Sequence, residues 1–514
     1  MENQSTLTPL IDERKIAMKS DKKKIIICGS GNAALCAGIA ALEQGADALI
    51  LEKASIEEAG GNSRYTAGAM RFAYQSRDDL LPLLHTPFGK RLDCTEFGSY
   101  PAQKFADDLR SFNAGKPLNS KQNILVENSY DTIVWLSKHN IEFDPIYSRQ
   151  SFQKNGKYIF WGGLVLEAQG EGVGLVDAEM QEFLRLGGSV QYEFECTELV
   201  TDDAGVCGVY CNTPGGPKRL LADAVVLACG GFEANSDMRS GYMGEKWSDA
   251  IVRGTRHNTG AGIEMATAVG ADICGQLDAC HAVPMDLHTP EFGNIDLPFS
   301  ERKHYRKICY FLGIMLNANG ERFVDEGENF RNYTYAQFGR EILNQPNGFA
   351  WQLFDSQVDE LLYDEYRFEH ASVVQAETID ELVSRLDGVD ACKALNTVHE
   401  FNNAANSSNA FDPTVLDGRR TNGLCIDKSN WANKLDKPPF KAFPVACGIT
   451  FTYAGLRVHD DAAVLNSNGE SIPGLYACGE LVGDVFAAGY PGGSGLTSGA
   501  VFGRIAGRSA ARMS

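Results

Sequence analysis

Residues Lys24 to Ala34 set a β-branched run, Ile25-Ile26-Ile27, against the turn Gly29-Ser30-Gly31-Asn32-Ala33-Ala34. This Gly-x-Gly-x-x-Ala spacing suits a pyrophosphate. Gly29 permits the tight turn, Gly31 lets backbone approach the phosphates, and Ala34 lets a following helix pack on the strand. The first turn of that helix, with Asn32 and Ala33, would aim unpaired N–H groups and a positive dipole end at the anion. A second apolar run, Ala48 to Leu51, ends on Glu52 and Lys53. The Glu52 carboxylate can accept hydrogen bonds from a ribose diol. A plain strand–turn–helix has the same outline, and the unit alone fits NAD as well as FAD.

Other glycine-rich stretches invite a similar reading. Gly60-Gly61-Asn62-Ser63-Arg64-Tyr65-Thr66-Ala67-Gly68 is a loop of mostly small residues, suited to close packing on something flat or phosphorylated. Gly170-Glu171-Gly172 opens a helix expected over 175–186, and Thr259-Gly260 opens one over 263–269. Short strands are expected at Val190–Phe194, Glu198–Val200 and Val206–Cys211, with Cys196 among them. The buried run Ala222 to Ala228 breaks on Cys229-Gly230-Gly231. Near the end, Ala477-Cys478-Gly479-Glu480 and Gly492-Gly493-Ser494-Gly495-Leu496 precede a helix over 500–511. Helices are also expected over 101–109 and 120–138.

These elements need more than one core, because 514 residues exceed what one hydrophobic core supports. The net charge of -20 argues against nucleic acid and anionic membrane surfaces as partners. It also requires that any site for an acidic substrate be locally basic. The 14 cysteines contain no C-x-x-C, which points to reduced thiols and a cytoplasmic protein, with no iron–sulfur or zinc site and no other metal. Residues 1–21 are polar, without the apolar core of a signal peptide, and are expected to form a flexible tail. No apolar run reaches the roughly eighteen residues of a membrane span.

The order of these motifs resembles the fumarate reductase/succinate dehydrogenase flavoprotein superfamily, with 3-ketosteroid dehydrogenases as cousins. The start Gly-x-Gly-Asn-Ala-Ala-Leu-Cys-Ala, the stretch Arg322 to Tyr335 and Tyr490-Pro491-Gly492-Gly493 resemble the tricarballylate dehydrogenase group more narrowly. The resemblance covers nearly the whole chain after residue 22. It implies an α/β fold: a two-dinucleotide-binding, Rossmann-like FAD domain with an inserted α+β capping domain. The FAD domain would take residues 22–278 and 448–514, and the cap 279–447. FAD rather than NAD becomes the expected cofactor. Glu480 would hold its ribose, and the helix after Ser494 would face the flavin's pyrimidine edge. Relatives with covalent FAD attach it through a His soon after the Gly-rich loop. None lies between Gly60 and Asp79, so FAD is expected to be noncovalent.

The same resemblance names catalytic candidates. Arg331 would move a proton, although it follows Glu326 by five residues, one more than the family spacing. His281 would bind substrate, and Tyr490 would polarise a ketone or donate a proton. Two departures matter: Gly448 to Gly455 lacks the His pair of fumarate reductases, and Tyr490-Pro491 stands where they carry an Arg. Arg64 and the cluster Arg302-Lys303-His304-Tyr305-Arg306-Lys307 could replace these carboxylate ligands, or the cluster could be a solvated face. The implied reaction is dehydrogenation or reduction of a CH–CH bond in a small carboxylate such as tricarballylate, with an unknown electron acceptor. An alternative is a ketone-activated desaturase of a larger apolar molecule, with Tyr310, Phe311, Phe330, Tyr333 and Tyr453 lining its pocket. A third is a flavoprotein subunit that relays electrons to a partner.

Overall fold

A computed structural model describes residues 22–84, 90–303 and 305–513. The expected N-terminal tail, 1–21, and His304 of the basic cluster lie outside the described residues.

The isoleucine run forms β1 (Lys24–Cys28), buried after its first residue. Near-continuous burial is what a parallel strand covered on both faces requires. Chain order continues with α1 (Asn32–Glu43), β2 (Asp47–Leu51), α2 (Ser120–Lys138), α3 (Glu171–Arg185), β3 (Ser189–Gln191) and β4 (Ala224–Leu227). Then follow β5 (Ile251–Val252), β6 (Cys280–Asp286), β7 (Ile314–Asn317), α4 (Arg331–Leu343), β8 (Phe349–Phe354) and β9 (Val374–Ala376). The chain ends with β10 (Phe440–Thr452), β11 (Ala463–Leu465), β12 (Ser471–Ala477) and α5 (Ser494–Arg512).

The first sheet runs β11-β12-β4-β1-β2-β3, parallel except for the β11–β12 pair. Strands from both ends of the chain therefore share one sheet. α1 and α5 cross on it at close range. A Cβ at Gly503 would stand 2.4 Å from the Ala33 carbonyl, and one at Gly507 would stand 2.0 Å from that of Ala37. Only glycine permits that approach.

The second sheet is built on β10. β5, β6, β8 and β9 all pair with it, and β7 pairs with β8. β10 carries the chain through 447/448, the expected boundary, and delivers Thr450, Phe451 and Thr452 to the space between the sheets. Tyr310, Phe311 and Trp431 fill a separate core on this side, with Phe330 packed against it.

One strand expectation divides. The run Val190–Phe194 is not one meander strand: β3 joins the first sheet beside β2, and Glu193 takes φ 59°. The antiparallel meander is Glu195–Asp202, Gly205–Asn212 and Lys218–Leu221. Among the described residues, no helix is long and apolar enough to cross a membrane.

Candidate active site

A single cleft collects the ends of β1, β2 and β4, the starts of α1 and α5, and the inner faces of β6, β10 and α4. α1 starts after Gly31 and α5 after Gly493, and as glycines neither N-cap residue supplies a capping side chain. Gly31, Asn32, Ala33, Gly493, Gly495 and Leu496 all line the cleft. Asn32 Nδ2 donates to the Leu496 carbonyl at 2.9 Å and ties the two helix starts together. Gly29 has φ 107°, and a Cβ there would lie 2.5 Å from the Ala228 carbonyl. One at Gly31 would lie 3.3 Å from Ser63 Oγ, which accepts from the Asn32 amide at 3.1 Å. Two glycine-led helix starts on a wall without side chains fit a long ligand carrying negative charge along its length.

The acid ends are also prepared. Glu52 accepts from Ser30 Oγ at 2.5 Å and from the Ala54 amide at 2.8 Å. Lys53 Nζ donates to Thr259 Oγ1 at 3.0 Å. Glu480 accepts from the Thr452 amide and hydroxyl at 2.6 and 2.9 Å. Behind it, burial and the Glu480 carboxylate push Glu233 well up, and burial raises Glu480 too. Glu233 accepts from Asn62 and Asn258 at 2.5 and 2.6 Å.

Most expected cofactor residues therefore line one cleft: Gly29, Gly31, Asn32, Ala33, Glu52, Lys53, Gly61, Asn62, Ser63, Thr66, Ala67, Cys196, Cys229, Gly230, Gly479, Glu480, Gly495 and Leu496. Gly68, Gly172, Gly231, Thr259, Gly260 and Ser494 stand behind its wall. A Cβ at Gly172 would lie 2.2 Å from the Ser63 carbonyl, and one at Gly68 would lie 2.6 Å from the backbone of Glu171, so both let α3 close on the Gly-rich loop. One at Gly231 would lie 2.1 Å from Glu480 Oε1, and Gly260 turns the chain into its helix beside Met238. Thr259 fixes Lys53, and Ser494 Oγ donates back to the Pro491 carbonyl at 2.5 Å.

The opposite end of the cleft gathers the three catalytic candidates. His281 stacks on Phe451 with ring centroids 5.2 Å apart and meets Tyr335 and Tyr490 edge-on at 5.0 and 4.9 Å. Its Nδ1 has no hydrogen-bond partner, and burial followed by the nearby Arg253 charge holds the ring well below the usual histidine range, hence neutral. The Tyr335 and Tyr490 hydroxyls are 2.6 Å apart. Burial and Tyr335 push the Tyr490 phenol well up, so it keeps its proton. The Tyr490 loop is anchored by fully buried Arg71, whose Nε and Nη1 donate to the Gly492 and Gly162 carbonyls, both at 2.7 Å.

Arg331 donates Nε to the Tyr363 hydroxyl at 2.7 Å and Nη2 to the Arg149 carbonyl at 2.6 Å. Burial works against its charge, but Tyr363 more than offsets this and its pKa is raised. It is thus a fixed cation, and a proton shuttle at this position would have to lose a charge its surroundings favour. Arg253, Tyr335 and Phe486 also line the cleft and were not anticipated. Tyr335 was legible: four residues after Arg331 on one helix, it shares that residue's face. Arg253 carried no local signal, because β5 is two residues long and is placed only by pairing with Gly448 and Ile449.

Among the described residues, the basic cluster is solvent-exposed only at Lys303. Arg302 pairs with Glu58, which lines the cleft, Lys307 is fully buried beside Asp286 at 3.5 Å, and of the cluster's described residues only Arg306 itself lines the cleft. Arg64 lies outside too, over the Phe299 ring. Of the aromatics expected to line the pocket, only Tyr453 does. Tyr310, Phe311 and Phe330 belong to the second core, while Tyr333 donates to Asp108 at 2.8 Å and covers Arg71.

A family model described as the FAD binding domain matches residues 24–496. The chain belongs to this family. Over 515 aligned residues this flavoprotein is 24% identical to the fumarate reductase (cytochrome) of Shewanella frigidimarina, covering 98% of this chain and 80% of that one. It is 26% identical to the urocanate reductase of Eggerthella lenta, covering 95% of this chain and 74% of that one. The solved 3-ketosteroid Δ1-dehydrogenase of Sterolibacterium denitrificans superposes with a TM-score of 0.70 at 19% identity, covering 95% of this chain and 99% of that one. The protein is an FAD-dependent oxidoreductase.

Proposed function

We propose that this enzyme dehydrogenates or reduces a CH–CH bond beside a carboxylate of a small polycarboxylic acid, tricarballylate among them. One observation carries the reading. Of the four arginines lining the cleft, Arg253 and Arg331 are buried yet reach only neutral oxygens among the described residues. Arg253 has Thr450 Oγ1 at 3.1 Å and the Tyr65 carbonyl at 3.3 Å, its Nε has no partner, and burial followed by Arg306 repulsion pushes it down to about 10. The buried Arg253 charge, without a counter-charge, is costly unless an anion arrives to meet it.

Noncovalent FAD, held by Gly29, Gly31 and Asn32 at its phosphates and by Glu52 and Glu480 at hydroxyls, supplies the hydride chemistry when bound. The chain supplies the rest. Arg253 and Arg331 bind carboxylates and acidify the adjacent C–H bond. Tyr490 moves the proton, with Tyr335 as its hydrogen-bond partner. The aromatic wall of His281, Phe451 and Phe486 closes the site against water.

The Tyr335–Tyr490 pair also supports a second reading, in which the two hydroxyls polarise the carbonyl of a keto substrate. Anaerobic mixing of the FAD-loaded enzyme with tricarballylate, succinate and a 3-ketosteroid separates the two. Bleaching of the flavin by acids alone, or reoxidation of the dithionite-reduced enzyme by their unsaturated counterparts, is expected. Bleaching by the ketone alone would overturn the carboxylate reading.

A further inference from the structure

The four cleft arginines are not equivalent. Arg149 is neutralised by Glu167 and Glu171 at 2.5 and 2.8 Å. Arg306 is neutralised by Glu365, to which Nη2 donates, and both side chains are about nine-tenths buried. Among the described residues, Arg253 and Arg331 have no carboxylate within ion-pair distance. The nearest other cation does not need Glu365: Lys307 Nζ donates to the Glu365 backbone carbonyl at 2.6 Å and has Asp286 as its counter-ion. Among the described residues the Glu365 side chain thus pairs directly with Arg306, while its charge also reaches Arg253 and Arg149, and Arg306 faces the same chamber as Arg253.

We infer that Glu365 is a built-in counter-anion that occupies Arg306 and thereby sets the number of substrate carboxylates anchored in the cleft at two. This inference rests on the carboxylate reading above and deepens it: Glu365 is a specificity-determining residue that selects acids by charge. A third carboxylate on the substrate would have to compete with Glu365 for Arg306. Burial raises the cost of ionising Glu365, but the Arg306 guanidinium and backbone hydrogen bonding hold its carboxyl below the usual range. The internal anion is therefore present at neutral pH.

The perturbation is Glu365→Gln, which keeps the shape and releases the Arg306 fork. The readout is thermal protection of the FAD-loaded enzyme by succinate and by tricarballylate, which needs no turnover. In E365Q the affinity for tricarballylate relative to succinate is expected to rise about tenfold or more, the scale of one charge-assisted hydrogen bond. Removing both charges in Arg306→Gln/Glu365→Gln should restore the wild-type ratio. Should E365Q not fold, Arg306→Gln alone leaves a bare carboxylate by the cleft and is expected to weaken both acids by a similar factor. An unchanged ratio in E365Q, or unchanged affinities in R306Q, overturns the inference while leaving the carboxylate reading intact. Wild-type enzyme protected by neither acid, with E365Q protected by tricarballylate, would overturn that reading and keep the role of Glu365. No protection of any form overturns both.

Discussion

Arg253→Met separates an anion-binding arginine from a structural one, because stability and activity should move in opposite directions. The guanidinium is pushed down to about 10 in the folded protein. At about 1.4 kcal/mol per pH unit, that is a folding penalty of about 3 kcal/mol for keeping it charged at neutral pH. Methionine removes the penalty and fills most of the volume. It forfeits two hydrogen bonds, at 3.1 and 3.3 Å, each worth about 1 kcal/mol. The balance is a stabilisation of about 1 kcal/mol, which in a chain of this length raises Tm by roughly 1 °C. Substrate binding loses a charge-assisted hydrogen bond of about 1.5–3 kcal/mol, so kcat/KM should fall about 10- to 100-fold. Calorimetry and the rate of anaerobic flavin bleaching by the acid measure the two quantities. A Tm lower by several degrees with kcat/KM intact would refute the assignment and make Arg253 a structural residue tied to Thr450 and Tyr65.

Tyr490→Phe keeps the ring contacts with His281, Phe451 and Phe486 but deletes the proton, so kcat should fall about 10²- to 10⁴-fold with KM nearly unchanged. Steady-state kinetics shows this split; a rise in KM alone would make Tyr490 a packing residue. The pH profile of kcat/KM reports the free enzyme, and Arg253 is charged below its value of about 10 and neutral above it. The rate constant should thus stay level from neutral pH to about 9 and fall as pH rises through 10, and a fall on the acid side of that range would exclude Arg253 as its source. Gly29→Ala forces a side chain onto φ 107° and within 2.5 Å of the Ala228 carbonyl, a conformation that L residues pay about 1–2 kcal/mol to adopt before any clash. FAD content, read from the visible-to-ultraviolet absorbance ratio after desalting, should drop sharply; full occupancy would show that the turn tolerates a Cβ.

The cofactor half of the cleft was legible because its signals are local. Gly29, Gly31 and Glu52 lie within a stretch whose strand, turn and helix each follow from neighbouring residues, and the pairings of Ile25 with Ala48 and Ala224 bring them into one wall. Where a glycine serves packing, sequence could not say which surface it meets. Gly172 and Gly231 sit in motifs like that of Gly31, yet a Cβ on either would strike the protein itself, at 2.2 and 2.1 Å. Glu193 shows a different limit: its positive φ splits an alternating stretch, Val190 to Phe194, that periodicity reads as one strand.

The substrate half depends on pairing across the chain. β10 pairs with β5, β6, β8 and β9, and that one strand fixes Arg253 through Ile449 and His281 through Phe451. No spacing rule connects residues about two hundred positions apart, so Arg253 was invisible while Tyr335, one turn along from Arg331, was not. Charge shows the same divide. Arg302, Arg306 and Lys307 look alike in sequence, but each meets a different acid, and only Arg306 faces the cleft. The useful quantity in this site is therefore the number of buried guanidiniums left without a carboxylate, and that number depends on Glu365, Glu167 and Glu171 as much as on the arginines. An acidic chain with a net charge of -20 can hold a site for acids because its own carboxylates neutralise some of the cleft cations and leave others open.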